Sequence, residues 1–154
     1  MTTATEAERA EMARLIRRAQ AAADEPGKAG IAAALLRDGT VVAEGVNHVH
    51  LLPDPTRHAE IVALGRAAQA LGRADLSDCT LLSTLQPCEM CLAAMRFAGI
   101  TRVIFAARQE RVPAKYFAFP HLRLADFLGP DRPFAAIGGV LEEAVLPLYE
   151  DGAE

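Results

Sequence analysis

Long apolar runs are missing from this 154-residue chain. The longest, residues 31–36, stops at Arg37, well short of the ~18 residues that a membrane helix needs. Glu and Arg interrupt the first twenty residues repeatedly, so no secretory signal is expected. Cysteine is scarce. Cys79, Cys88 and Cys91 are an odd, small set that makes no disulfide framework and leaves metal binding, thiol chemistry or plain burial. Lysine is scarcer, with only Lys28 and Lys115 among 16 basic residues. A net charge of −4 and a pI of about 5.6 weigh against tight binding to a nucleic-acid backbone, which rests on cations neutralising phosphates. That small net charge, together with 51% hydrophobic residues, excludes disorder. Repeats, linkers and low-complexity blocks are absent too, so residues 1–154 read as one soluble, cytoplasmic domain large enough to bury a core.

What is present is a succession of regular elements. Residues Glu6–Ala23, rich in Ala, Glu and Arg, predict a helix stopped by Asp24-Glu25-Pro26-Gly27. Its Arg14, Arg17 and Arg18 form a basic patch, read as a solvated face paired with Glu8 and Glu11. Residues 31–36 and 40–46 predict two strands joined at Asp38-Gly39, a hairpin turn. After a loop with Pro53 and Pro55, residues 58–71 have helical spacing, with Ile61, Leu64, Ala68 and Leu71 on one face and Gly72 as the stop. A strand over 79–85, a helix over 88–98 and a strand over 102–106 follow. Residues 108–119 are irregular and dense in Lys115, Tyr116, Phe117 and Phe119. A short helix over 120–128, a strand over 134–137 and a last helix over 141–149, weakened by Pro147, complete the chain. This order predicts the α/β class, a three-layer α/β/α sandwich whose mixed sheet carries helices on both faces and whose crossovers are right-handed.

Two short motifs carry chemistry. His58-Ala59-Glu60 begins one predicted helix, and Pro87-Cys88-Glu89-Met90-Cys91 begins another. Cys88 and Cys91, three apart, share one helical face, and the unpaired N–H groups of a helix start favour thiolate over thiol. Two thiolates and one imidazole are three good zinc ligands, and zinc prefers four. No second CxxC and no further nearby histidine closes the set, so the pattern is that of a catalytic zinc with one position left for water. Glu60, two residues after His58, suits the general acid–base work such a water requires. A structural zinc site and a thiol redox pair remain alternatives for the CxxC alone.

H-A-E followed by P-C-E-M-C resembles the zinc-dependent cytidine and cytosine deaminase superfamily, nearest to its nucleobase deaminases of the fungal-type cytosine deaminase and guanine deaminase branch. The resemblance covers about residues 30–106 and the C-terminus. It implies a five-stranded mixed sheet, one Zn2+ held by His58, Cys88 and Cys91, and Glu60 as proton shuttle. Activated water would add to an amidine carbon, Glu60 would protonate the ring nitrogen, and ammonia would leave. Members of the superfamily are dimers or tetramers, so a homodimer is expected.

The resemblance also offers substrate contacts. Asn47, at the end of the second strand, stands where the superfamily places an asparagine that bonds the substrate ring; the plainer reading is a strand terminator. The tail from Leu148 to Glu154 resembles the fungal-type C-terminus, which implies that Asp151 accepts a hydrogen bond from the substrate amine and that Tyr149 packs near the base. A solvated acidic tail is the alternative. Tyr116, Phe117 and Phe119 are candidates for a stacking wall, core or interface. His48, His50 and His121 are uncommitted, and Cys79 reads as a buried small hydrophobe. The expected substrate is a free base or s-triazine, such as cytosine, 5-azacytosine, isoguanine or guanine. A transfer-RNA adenosine and a free nucleoside are alternatives, but the last fifteen residues hold five acids and no Lys or Arg, which suits RNA poorly. A zinc-stabilised scaffold or non-catalytic partner subunit is the reading from another class, and the presence of Glu60 weighs against it.

Overall fold

Thr5 and Glu8 open the first helix with a reciprocal cap. The Glu8 N–H donates to Thr5 Oγ1 (3.1 Å), and the Thr5 N–H donates to Glu8 Oε1 (2.8 Å). In the computed structural model, which describes residues 3–25, 29–51, 53–129, 131 and 134–150, this helix is α1, Glu6–Ala23. Met12, Leu15, Ile16, Ala19 and Ala22 bury its inner stripe at helical spacing. Glu8 is turned inward and pairs with Arg102 (2.7 Å) instead of the neighbouring arginines. Glu11 does pair with Arg14, as the solvated-face reading expects, and Arg14 also reaches Glu44.

Strands β1 (Ala32–Arg37) and β2 (Thr40–Val46) form an antiparallel hairpin. Asp38 (φ 52°) and Gly39 (φ 77°) supply the two left-handed residues that its tight turn needs. Helix α2 (Ala59–Leu71) crosses to β3 (Thr80–Leu85), α3 (Glu89–Phe97) to β4 (Arg102–Ala107), and β5 (Ala135–Ile137) precedes a short α4 (Glu142–Val145). The sheet order is β2-β1-β3-β4-β5, with β1 antiparallel to β2 and β3, and β3, β4 and β5 parallel. Helices α1 and α4 pack on one face, α2 and α3 on the other, which is the expected three-layer sandwich on a five-stranded mixed sheet. Strand β2 lies so close to α2 that a Cβ on Gly45 would sit 2.7 Å from Val62 Cγ1, so glycine is required there.

The C-terminal third departs from expectation. Residues 109–127 contain three 3-10 turns, Gln109–Arg111, Ala114–Tyr116 and Leu124–Phe127, the last in place of a helix over 120–128. The final helix breaks after α4 into a 3-10 turn, Leu146–Leu148, because Pro147 has no N–H to continue the ladder. Strands β2, β3 and β4 therefore end on one edge of the molecule, where the N-termini of α2 and α3 also converge. In open α/β sheets that edge is where ligands bind.

Candidate metal centre and its cavity

His58 is the N-cap of α2 and Cys88 the N-cap of α3, with Cys91 in the first turn of α3. Packing of α2 against α3 brings the three side chains together. Cys88 Sγ lies 3.8 Å from Cys91 Sγ, and His58 Nδ1 lies 3.5 Å from Cys88 Sγ and 3.7 Å from Cys91 Sγ. A tetrahedral zinc with Zn–S of about 2.3 Å and Zn–N of about 2.0 Å requires S···S near about 3.8 Å and S···N near about 3.5 Å. The three donors therefore fit zinc, and among the described residues they are the group placed to hold a metal ion. Their charge state agrees. Hydrogen bonding from the Cys91 thiol, aided by His58, pulls Cys88 down to about 4. The bond to Cys88, burial and the nearby Glu60 carboxylate push Cys91 well above the usual thiol range. Two sulfurs this close are both thiolates only with a cation between them. Phe117 closes over the pair, packed with both cysteines in a small apolar cluster.

Glu60, in the first turn of α2, is 4% exposed. Burial first, then the charge on Cys88, raises its carboxyl above the usual range, which suits a group that must hold a proton. Ser83 Oγ stands 3.3 Å from Glu60 Oε1 and also contacts Leu85 O at 2.7 Å, fixing the carboxylate from behind. Glu60 opens on a small cavity lined by Ile31, Asn47, His58, Ala59, Leu85, Gln86, Cys88, Lys115 and Tyr116 besides itself. Asn47 accepts the Val49 N–H on Oδ1 (2.9 Å), which fixes the amide's orientation and leaves it both N–H donors and a second acceptor position on Oδ1.

Tyr149 is placed differently from expectation. It is 1% exposed, does not line the cavity, and donates through its hydroxyl to Gly30 O (2.6 Å) while Thr84 Oγ1 lies 2.9 Å away. Its ring instead meets Tyr116 edge-on, with centroids 5.6 Å apart, so it supports the cavity wall from the core. Val145 and Leu146, just before it, are buried as well, so the chain enters the core on this side. Asp151 lies outside the described residues. Of the other aromatics, Tyr116 is in the wall, and Phe119 is half exposed at an outer groove that shares His58, Cys88, Lys115 and Tyr116 with the cavity. His48 lines a separate groove beside β2, and His50 and His121 are exposed. Cys79 is buried, as expected.

Gln86 and Lys115 belong to the cavity without having been singled out for it. Gln86 directly precedes the P-C-x-x-C motif, and Lys115 is one of two lysines, set in an aromatic stretch. Gln86 Oε1 accepts the Gln109 N–H (2.9 Å), and Gln109 Nε2 donates to Leu122 O (2.9 Å), tying the cavity floor to the far end of the wall segment.

The family model for the cytidine and deoxycytidylate deaminase zinc-binding region matches residues 5–107, which include both motifs. The chain belongs to this deaminase family. It is 41% identical over 96 residues to a guanine deaminase of Bacillus subtilis, covering 60% of this chain and 62% of that protein. To a tRNA-specific adenosine deaminase of Agrobacterium fabrum it is 40% identical over 89 residues, covering 58% and 59%. The solved structure of a guanine deaminase from Nitrosomonas europaea superposes with a TM-score of 0.80 at 27% identity, covering 96% of this deaminase-family chain and 84% of that one. The match spans about six-tenths of the length of the two curated relatives.

Proposed function

We propose that this protein is a zinc-dependent aminohydrolase that removes the amine of a free nucleobase or s-triazine, of the cytosine, 5-azacytosine, isoguanine or guanine type, releasing ammonia. The observation that carries this reading is the buried Glu60 in one cavity with a three-donor zinc set, which leaves the fourth position to a small ligand. Held by His58, Cys88 and Cys91, zinc supplies Lewis-acid activation of water. Glu60 takes a proton from the attacking water on a carboxylate oxygen. It passes that proton to the ring nitrogen beside the attacked carbon, then takes the proton of the added hydroxyl and passes it to the departing amine, so that water and an amino-substituted C=N become a carbonyl, a ring N–H and ammonia. Asn47 offers its NH2 to an acceptor on the ring, while Ile31 and Leu85 keep the cavity floor apolar.

A transfer-RNA adenosine is the second reading, favoured by the likeness to tRNA-specific adenosine deaminases. The acidic balance of the chain, −4 overall, supports the free base over a polyanion. We take the working form to be a homodimer, supported by the near-complete exposure of Phe97 (94%), and its compartment to be the cytoplasm, supported by three unpaired cysteines. The test is ammonia release by purified protein from a panel of free bases, nucleosides and a transfer RNA, with Glu60→Ala as blank. Release from free bases alone upholds the reading. Release from the RNA alone establishes the second, and silence with zinc bound leaves a metal-stabilised scaffold.

A further inference from the structure

Strand β3 carries two adjacent buried hydroxyls, and alternation along a strand sends them to opposite faces of the sheet. Thr84 serves the fold: its Oγ1 accepts the Ala32 N–H (3.1 Å) and shares a bond with the Tyr149 hydroxyl (2.9 Å). Ser83 faces the other way, toward the first turn of α2, and is fully buried. Its cross-strand neighbours, Ala33 and Phe105, are apolar. Among the described residues, two oxygens share hydrogen bonds with its Oγ: Leu85 O at 2.7 Å and Glu60 Oε1 at 3.3 Å.

A hydroxyl has one proton to donate and lone pairs with which to accept. Both partners of Ser83 Oγ are oxygens, so its one proton goes to one of them at a time. With the proton on Leu85 O, the nearer, the lone pairs face Glu60 and accept the O–H of a carboxylic acid. With the proton turned to Oε1, the hydroxyl holds a carboxylate. A shuttle that takes up and gives back a proton passes through both forms. Ser83 meets each by rotation about its Cβ–Oγ bond and keeps its own proton throughout. We propose that Ser83 is a positioning residue for the proton shuttle, holding Glu60 Oε1 so that the carboxyl keeps one orientation through the proton transfers. This rests on the base-deaminase reading and adds to it a residue that neither lines the cavity nor belongs to the metal set. Alanine at this position frees the carboxyl to turn, and time spent in other orientations is lost to the reaction.

The experiment compares zinc-loaded wild type with Ser83→Ala, which removes one buried oxygen and no carbon. A thermal melt and metal analysis check that fold and zinc are kept. With the base of the panel that the wild type turns over fastest, kcat is expected to fall about tenfold while KM stays within about twofold. A kcat within about twofold of wild type, or a KM that rises as far as kcat falls, overturns the proposal. A second readout needs no turnover. The infrared carboxyl bands of Glu60, isolated as the difference between each protein and its Glu60→Gln counterpart, report the hydrogen bond directly. They are expected to shift and broaden in Ser83→Ala, which a role confined to packing does not produce. Bands unchanged in position and width overturn the proposal whatever the kinetics. If the bands shift and no base is turned over by the wild type, the hold on Glu60 is upheld and the deaminase reading falls.

Discussion

His58 and Cys88 stand on the N-termini of helices that run 13 and 9 residues and pack together against the sheet. Lys115 and Tyr116 stand on a segment of short 3-10 turns, held in place by side chains from elsewhere: Glu89 on Ala118 and Phe119, Gln109 on Leu122, Tyr149 against Tyr116. The floor of the cavity is thus fixed by backbone geometry and a metal set, and the wall by a few hydrogen bonds that single substitutions remove. A floor of this kind preserves one chemistry, because three ligand atoms and a proton shuttle must keep their separations to within a fraction of an ångström. A wall of this kind is where substrate choice is written and altered, as in other enzymes whose loops vary on a constant frame.

If that division holds, the largest effects come from the floor. Cys91→Ala removes one ligand, and metal analysis should find zinc lost, ammonia release at background and a thermal midpoint lowered by about 10 °C or more, since metal binding is coupled to folding. Glu60→Gln leaves the ligands alone. It should keep zinc and the melting midpoint while kcat falls by about a thousandfold or more. Full zinc in the first variant, or activity close to wild type in the second, would break the comparison at its floor.

Wall variants should act on binding instead. Glu89→Ala frees the N–H groups of Ala118 and Phe119 and should raise KM by about three- to tenfold with kcat nearly unchanged, read by steady-state kinetics. A comparable fall in kcat would mean that the wall takes part in the chemistry. Tyr149→Phe is the smallest change. It leaves Gly30 O and Thr84 Oγ1 without their shared partner, and denaturant unfolding should register a loss of about 1–2 kcal/mol with zinc retained.

The floor was legible in the sequence for the reason it is rigid. H-x-E and P-C-x-x-C sit at helix starts, where one turn of helix fixes which side chains share a face, and the hairpin was equally plain from Asp38-Gly39. The wall was opaque because 3-10 turns and bonds from side chain to backbone leave no hydrophobic period to read. Lys115 and Gln86 carry no spacing signal that marks them as cavity residues. The resemblance of the tail implies Tyr149 beside the base, but its hydroxyl is held by Gly30 O and Thr84 Oγ1 in the core, bonds across more than 60 residues that leave no local trace. Glu8 misled for the same reason. Its partner Arg102 lies 94 residues away, and a pairing at that range has no local trace.

The claim on which the rest depends is that the metal site is open, with three protein ligands. X-ray absorption at the zinc edge, on protein carrying one zinc per chain, tests it most directly. The account predicts two sulfur neighbours at about 2.3 Å and two lighter neighbours at about 2.0 Å, one of which changes when a product-like base such as xanthine or uracil is added. A shell of four protein ligands that no base perturbs, or a purified chain that takes up no zinc, would contradict it.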